Sequence, residues 1–227
     1  LGLALILLSV FWAVAAPLIT TNSPRKLAPQ DRLESPSGDH WFGTDHVGRD
    51  VFARTVYGSR VSLIVGFGAA GFSVLFGTPL GLVSGYFRRA DMVLQRFVDG
   101  LMAIPSILLA IALMAILEAS MMNVIIALTV VETPRISRTV RASVLSLREQ
   151  TFVEAAMSIG APTWRILALH IFPGTIASLL IHATFLVALA IIIEASLSFL
   201  GAGTPPHIPS WGNMMAEGKV YILNGTH

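Results

Sequence analysis

An all-α, polytopic membrane helix bundle is the fold the sequence predicts, and three observations predict it. Hydrophobic residues make up 54% of the 227 positions and charged residues only 12%, against about 25% charged in ordinary soluble domains. Mean hydropathy is +0.74. The apolar surplus is gathered into runs that approach the roughly 20 residues a helix needs to cross a bilayer, with the polar residues collected between them. The net charge of +2 gives no basic surplus of the kind that binds nucleic acid. Cysteine is absent, which excludes disulfides, thiolate metal sites and a cysteine nucleophile.

Residues 1–19 are apolar and uncharged. Ala13-Val14-Ala15 resembles a signal-cleavage site, yet the length of the run and the spans after it favour a first membrane helix. The chain begins at Leu1, so the natural N-terminus is expected upstream. Residues 20–60 are polar and rich in turn formers, and predict a surface loop ending in a short amphipathic segment. Within it His40, Asp45, His46 and Asp50 follow no metal-ligand spacing, so a folded loop is preferred to a metal site.

Residues 61–86 form the second span. Gly77, Gly81 and Gly85 lie four apart, which permits close helix approach, and packing within the chain is preferred to a homodimer seam. Arg88, Arg89 and Arg96 make 87–96 a basic turn. Residues 97–117 are the third span, with Asp99 near its start and Pro105 as a kink site. Residues 119–133 are the weakest span. Glu118 and Glu132 bracket it, so it crosses only if the helix continues past Pro134 or the carboxylates sit at the interfaces.

Residues 134–150 carry Arg135, Arg138, Arg141 and Arg148, expected on a solvated or headgroup-facing helix end. Residues 175–200 are the last span, with His182 expected as a packing histidine and Glu194 as its one acid. Residues 201–227 are polar and turn-rich. The count is five spans, with a sixth expected in the full-length protein. Loops 87–96 and 134–174 hold 8 Lys and Arg in 51 residues, while 20–60 and 201–227 hold 7 in 68. The positive-inside rule therefore assigns the first pair of loops, and the N-terminus, to the cytoplasm.

Residues 151–174 carry a helix code of their own. Thr151 and Glu154 form a T-x-x-E capping box, Gly160 supplies a stop, and Pro162 follows. Phe152, Ala155, Ala156 and Ile159 recur at i, i+3, i+4 and i+7, which predicts one shared, shallow face. A helix of about two turns is not stable alone. It has to be held by its neighbours or by a partner.

Catalytic chemistry is absent from the sequence. Gly218-Lys219 is followed by Val220 and lacks the spacing of a phosphate-binding loop. There is no G-x-S-x-G and no H-E-x-x-H. A carboxylate inside an apolar run, as Glu194 is, points to a pathway or interface role, against the plain alternative that it reaches the membrane surface. A transport protein with no energy-converting site is passive, gradient-driven or driven by a partner. A gradient-driven carrier or passive channel is the alternative to the partner-driven reading, although no internal repeat of the carrier type is present. An intramembrane hydrolase built on His182 and Glu194 lacks a nucleophile.

Glu154-Ala155-Ala156, three further residues, Gly160, and then Pro173 resemble the EAA motif, E-A-A-x3-G-x9-I-x-L-P, of bacterial ABC-importer permease subunits. His170 and Phe172 stand where that motif has isoleucine and leucine. His40–Asp50, Tyr57–Leu63, Glu194–Gly201 and Pro209–Gly218 are similar to the second permease subunit of the dipeptide/oligopeptide/nickel branch. The resemblance covers about residues 1–220. It implies a first transmembrane helix and periplasmic loop over 1–60, and an ABC-permease transmembrane domain over 61–227. It implies an inner-membrane importer of peptides or a related small solute. The partners would be a homologous permease subunit, two ATPase subunits that carry ATP and Mg, and a periplasmic substrate-binding protein, with no cofactor in this chain. It implies, finally, that 151–174 forms a coupling helix docked on an ATPase through Phe152, Glu154, Ala155, Ala156, Ile159, Gly160 and Pro173.

Overall fold

In hydrocarbon a spanning segment has to satisfy its backbone groups internally, and helix is the dominant structure throughout. The computed structural model describes residues 2–224, so the expectations that fall on Leu1 and on 225–227 lie outside the described residues. The elements are α1 (Gly2–Ile19), a 3₁₀ turn (Pro29–Asp31), α2 (Val51–Tyr86), α3 (Arg88–Met102), α4 (Ser106–Ile116), α5 (Met121–Leu147), α6 (Thr151–Ser158), α7 (Thr163–Phe199) and α8 (Trp211–Asn224). Among the described residues strand pairing is confined to a single bridge between Thr44 and Asp50.

Three of the expected spans have different bounds. The second begins at Val51 rather than residue 61, because Asp50 caps it: Asp50 Oδ1 accepts from the Ala53 N–H at 2.7 Å. The expected third span is two helices bent by 89°, with Pro105 in the break, so Pro105 ends a helix instead of kinking one. The last span begins at Thr163 rather than residue 175. The weak fourth span does run on past Pro134, as α5. By length and hydropathy α2 and α7 qualify outright as spans, and the α3–α4 pair qualifies when taken together.

By packing, the chain divides into two compact units, one of residues 1–66, 113–124 and 191–227, the other of 67–112 and 125–190. In the first, Pro17 leaves the Ala13 carbonyl without its helical donor. Arg60 fills the gap: its Nε donates to Ala13 O, and its Nη2 donates to Val14 O at 3.0 Å.

The second unit is built on a glycine seam. A Cβ at Gly77 would lie 2.7 Å from Ile136 Cβ, at Gly81 2.6 Å from Val140 Cβ, and at Gly85 2.6 Å from Val144 Cβ. The expectation of packing within the chain is met. Both residue series rise together, so α2 and α5 run parallel. The chain between them therefore has to return, and α3–α4 is the segment that makes the return. Ser143 Oγ meets Ser178 Oγ at 3.0 Å, and a Cβ at Gly174 would meet Leu147, so α7 runs back along α5. On α5, Arg141 pairs with Asp91 at 2.5 Å and Arg138 with Asp99 at 2.5 Å, so these arginines are held by α3 carboxylates rather than simply solvated.

Candidate functional site

The short helix α6 sits between α5 and α7, at the end of the second unit that carries Arg88, Arg89 and Arg148. Its first turn corrects the expected capping box. Gln150 is the N-cap and Thr151 is already helical, so its side chain is one position too late to cap and makes no such bond. The Gln150 carbonyl takes the Val153 and Glu154 N–H groups at 2.9 and 3.2 Å. The C-terminal end is as expected. Gly160 has φ +75°, its N–H reaches Met157 O at 2.9 Å, and the Ala161 N–H reaches Ala156 O at 3.0 Å. This is a Schellman stop.

The expected face of four residues splits in two. Ala156 is buried together with Val153, in one cluster with Ile136, Val140, Val144, Ile166 and Ile171. Phe152, Glu154, Ala155 and Ile159 stay exposed, Ile159 at 85%. The physical reason is helical geometry. Val153 and Ala156 are three apart and share the inner stripe, which rotates Ala156 off the outer one. Trp164, 68% exposed at the start of α7, extends the outer apolar surface and was not singled out from the sequence.

Pro173 lies inside α7, just after a π-helical stretch, Ile166–Ile171. The Phe172 N–H donates five residues back, to Leu167 O. A proline ring crowds the carbonyl four residues before it, and a widened turn relieves that. The EAA-like segment therefore exits through continuous helix, with His170 in the wide turn and Phe172 just beyond it.

Two carboxylates lie fully buried among apolar helices. Glu194, in the first unit, is wholly enclosed by side chains of this chain. Its Oε1 accepts from Ser198 Oγ at 2.8 Å and Thr204 Oγ1 at 3.3 Å. Thr204 Oγ1 also lies 3.1 Å from Ser210 Oγ, and Asn213 Nδ2 lies within hydrogen-bond reach of the carbonyls of Thr204, Pro205 and Ile208. Glu194 is thus the hub that folds 201–213 back onto its helix. Glu132, in the second unit, is fully buried. Neither of its oxygens accepts a hydrogen bond, and Arg135 Nη1 lies 3.4 Å away. It borders a cavity of about 610 Å³ together with His182, which is exposed there rather than packed.

Residues 77–225 match the family model of the binding-protein-dependent transport system inner membrane component. The chain belongs to this family. It is 45% identical to the dipeptide transport system permease protein of Alkalihalophilus pseudofirmus, over 97% of this chain and 73% of the relative. It is 46% identical to a putative peptide transport system permease protein of Brucella suis biovar 1, over 99% and 76%. It is 40% identical to the oligopeptide transport system permease protein of Bacillus subtilis, over 96% and 72%. The chain is accordingly a multi-pass inner-membrane permease subunit of an ABC transporter, a transport component rather than an enzyme. The matched segment contains α6, α7, Glu132 and Glu194.

In the permease the polar loop before α2 is a folded element. Asp45 accepts from the Val47 and Arg49 N–H groups, each at 2.9 Å, and from Arg49 Nε at 2.6 Å. Burial pushes the Asp45 carboxyl up, but these donors outweigh it and hold it below the ordinary range. Arg54 joins Asp45 at 2.5 Å to Glu217 of α8 at 2.6 Å. Asp45, His46 and Glu217 converge within 4.8 Å. Arg49 and Arg54 occupy the two carboxylates, so the cluster reads as an ion-pair knot. His40 Nδ1 lies 2.7 Å from Asp50 Oδ2, and that hydrogen bond raises its pKa.

Proposed function

We propose that this permease is one of two homologous subunits forming the pathway of an ATP-driven importer, and that it moves peptides or a related small solute from the periplasm to the cytoplasm. The relatives named for dipeptide, oligopeptide and peptide transport, at 40–46% identity over nearly the whole chain, support that cargo class. Free dipeptides do not cross lipid unaided, because their charges and amides are costly to desolvate. Two partner ATPases bind ATP and Mg, and a periplasmic binding protein delivers the cargo. The N-terminus is cytoplasmic, residues 1–60 are the first helix and periplasmic loop, and 61–227 form the permease domain.

The observation that carries the coupling role is the division of labour on α6. Val153 and Ala156 anchor the helix, while Phe152, Ala155 and Ile159 are offered outward. An apolar stripe on a firmly seated short helix suits a groove on a partner. Glu154 lies beside that stripe, Gly160 turns the chain, and Pro173 shapes the return helix.

The test is Ile159→Glu in the reconstituted importer. Peptide uptake is expected to be lost while membrane insertion and assembly of the two permeases persist. Full uptake by this variant overturns the coupling role. Uptake by the permease pair without ATPases overturns the ATP-driven reading in favour of a carrier or channel.

A further inference from the structure

A second group of polar side chains in the second unit lies beside a cavity rather than on α6. The cavity, about 610 Å³, falls within the roughly 300–1,000 Å³ of small-molecule sites. Its walls are mostly apolar, with Phe185 and Leu186 on α7. Its charged or titratable groups are Glu132, Arg135 and Arg138 on α5 and His182 on α7, beside the hydroxyls of Thr139 and Ser143. Glu132 is fully buried, and both of its oxygens lack a hydrogen-bond donor. A buried carboxylate in that condition is costly. Its one ion partner among the described residues, Arg135, lies at 3.4 Å and is 42% exposed. Arg138 is 49% exposed, and its bond to Asp99 Oδ1 uses Nη2, so the remaining guanidinium N–H groups are available.

We propose that this cavity is a binding site for a zwitterionic peptide, with Glu132 receiving the α-ammonium group and Arg135 and Arg138 the terminal carboxylate. An ammonium brings three N–H donors to a carboxylate that has none. Two guanidiniums beside it match the opposite end of the same ligand, since planar N–H forks suit carboxylates. The apolar walls accept side chains without selecting among them. The inference rests on the reading that the permease carries peptides, and assigns that cargo a contact inside the chain.

The chain contains no cysteine, which makes a direct assay simple. Ala142→Cys introduces one thiol on the exposed, cavity-lining side of α5. In the assembled importer with cysteine-free partners, millimolar Ala-Ala is expected to slow maleimide labelling of that thiol about tenfold, the scale of one charge-assisted hydrogen bond. N-acetyl-Ala-Ala should protect far less. Adding Glu132→Gln should remove protection while the unprotected labelling rate, a check on folding, stays the same. Absence of protection by Ala-Ala, equal protection by the acetylated peptide, or intact protection in Glu132→Gln each overturns the site. Protection without uptake by the intact importer keeps the site and defeats the peptide-transport reading. Uptake without protection keeps that reading and defeats the site.

Discussion

Glu194 and Glu132 are both fully buried carboxylates on apolar helices, yet one has donors at one of its two oxygens and the other at neither. Around Glu194, Ser198 and Thr204 turn hydroxyls toward Oε1, and Ser210 and Asn213 extend the web. Around Glu132 no donor is in place at either oxygen, and a cavity lies alongside. Burial alone does not tell an acid that holds the fold from one that is kept for a ligand. Accounting for the donors does: Glu194 has two hydroxyls at Oε1 and none at Oε2, and so still organises its neighbours, while Glu132 has none at either oxygen.

The contrast is sharpest in stability. Glu194→Ala removes the acceptor shared by the Ser198 and Thr204 hydroxyls and is expected to cost about 2 kcal/mol in thermal unfolding of the detergent-solubilised chain. Glu132→Ala loses a long ion pair to Arg135 but also removes a buried carboxylate that no donor satisfies, so it should cost less than about 1 kcal/mol. Equal losses would erase the distinction between the two acids. The units themselves can be compared in the same way. If the second is held by its glycine seam, Gly81→Val should cost about 2 kcal/mol through overpacking, because a Cβ there comes 2.6 Å from Ser137 O. Gly100→Ala is the control, since nothing lies within 4 Å of its added Cβ, and on helix propensity it should gain up to about 1 kcal/mol.

The smallest expected effect is one of pH, in the loop before α2. His40 is raised by its bond to the Asp50 carboxylate. A raised folded pKa means that the pairing stabilises fully below the unfolded value near 6.5 and is lost as pH rises through the higher folded value. Protease resistance of the 20–50 loop should therefore fall from pH 5.5 to pH 8.5, within a histidine's titration range of about 5–8. His40→Gln should flatten that slope. An unchanged slope in the variant would show that the pair does not hold the loop.

Much of this was legible in the chain. The glycine stripe and the Gly160 stop rest on local spacing, and the continuation of α5 past Pro134 was one of two alternatives the run allowed. What spacing did not give was which side of a two-turn helix faces inward. The i, i+3, i+4, i+7 set is four residues wide, and only the third-dimension neighbours of Val153 decide that Ala156 turns in. Asp50 directly before Val51 is a sequence signal for an N-cap, and it places the start of α2 where the structure has it. The wide turn before Pro173 has no sequence signature beyond the proline itself. Glu132 was read by its distance along the run, whereas its role depends on the cavity that α7 closes beside it.

The seam between α2 and α5 behaves as a track with repeating notches. Glycines and bulky residues recur with the same interval of four, so sliding one helix past the other by one notch, about 6 Å, would refill two of the three contacts. Shape alone therefore fixes the path of travel and leaves the stopping point degenerate. The stop is set by polar latches off the track. Arg148 Nη1 holds the Gly85 carbonyl at 3.1 Å, and Ser73 Oγ reaches Thr129 O at 3.5 Å.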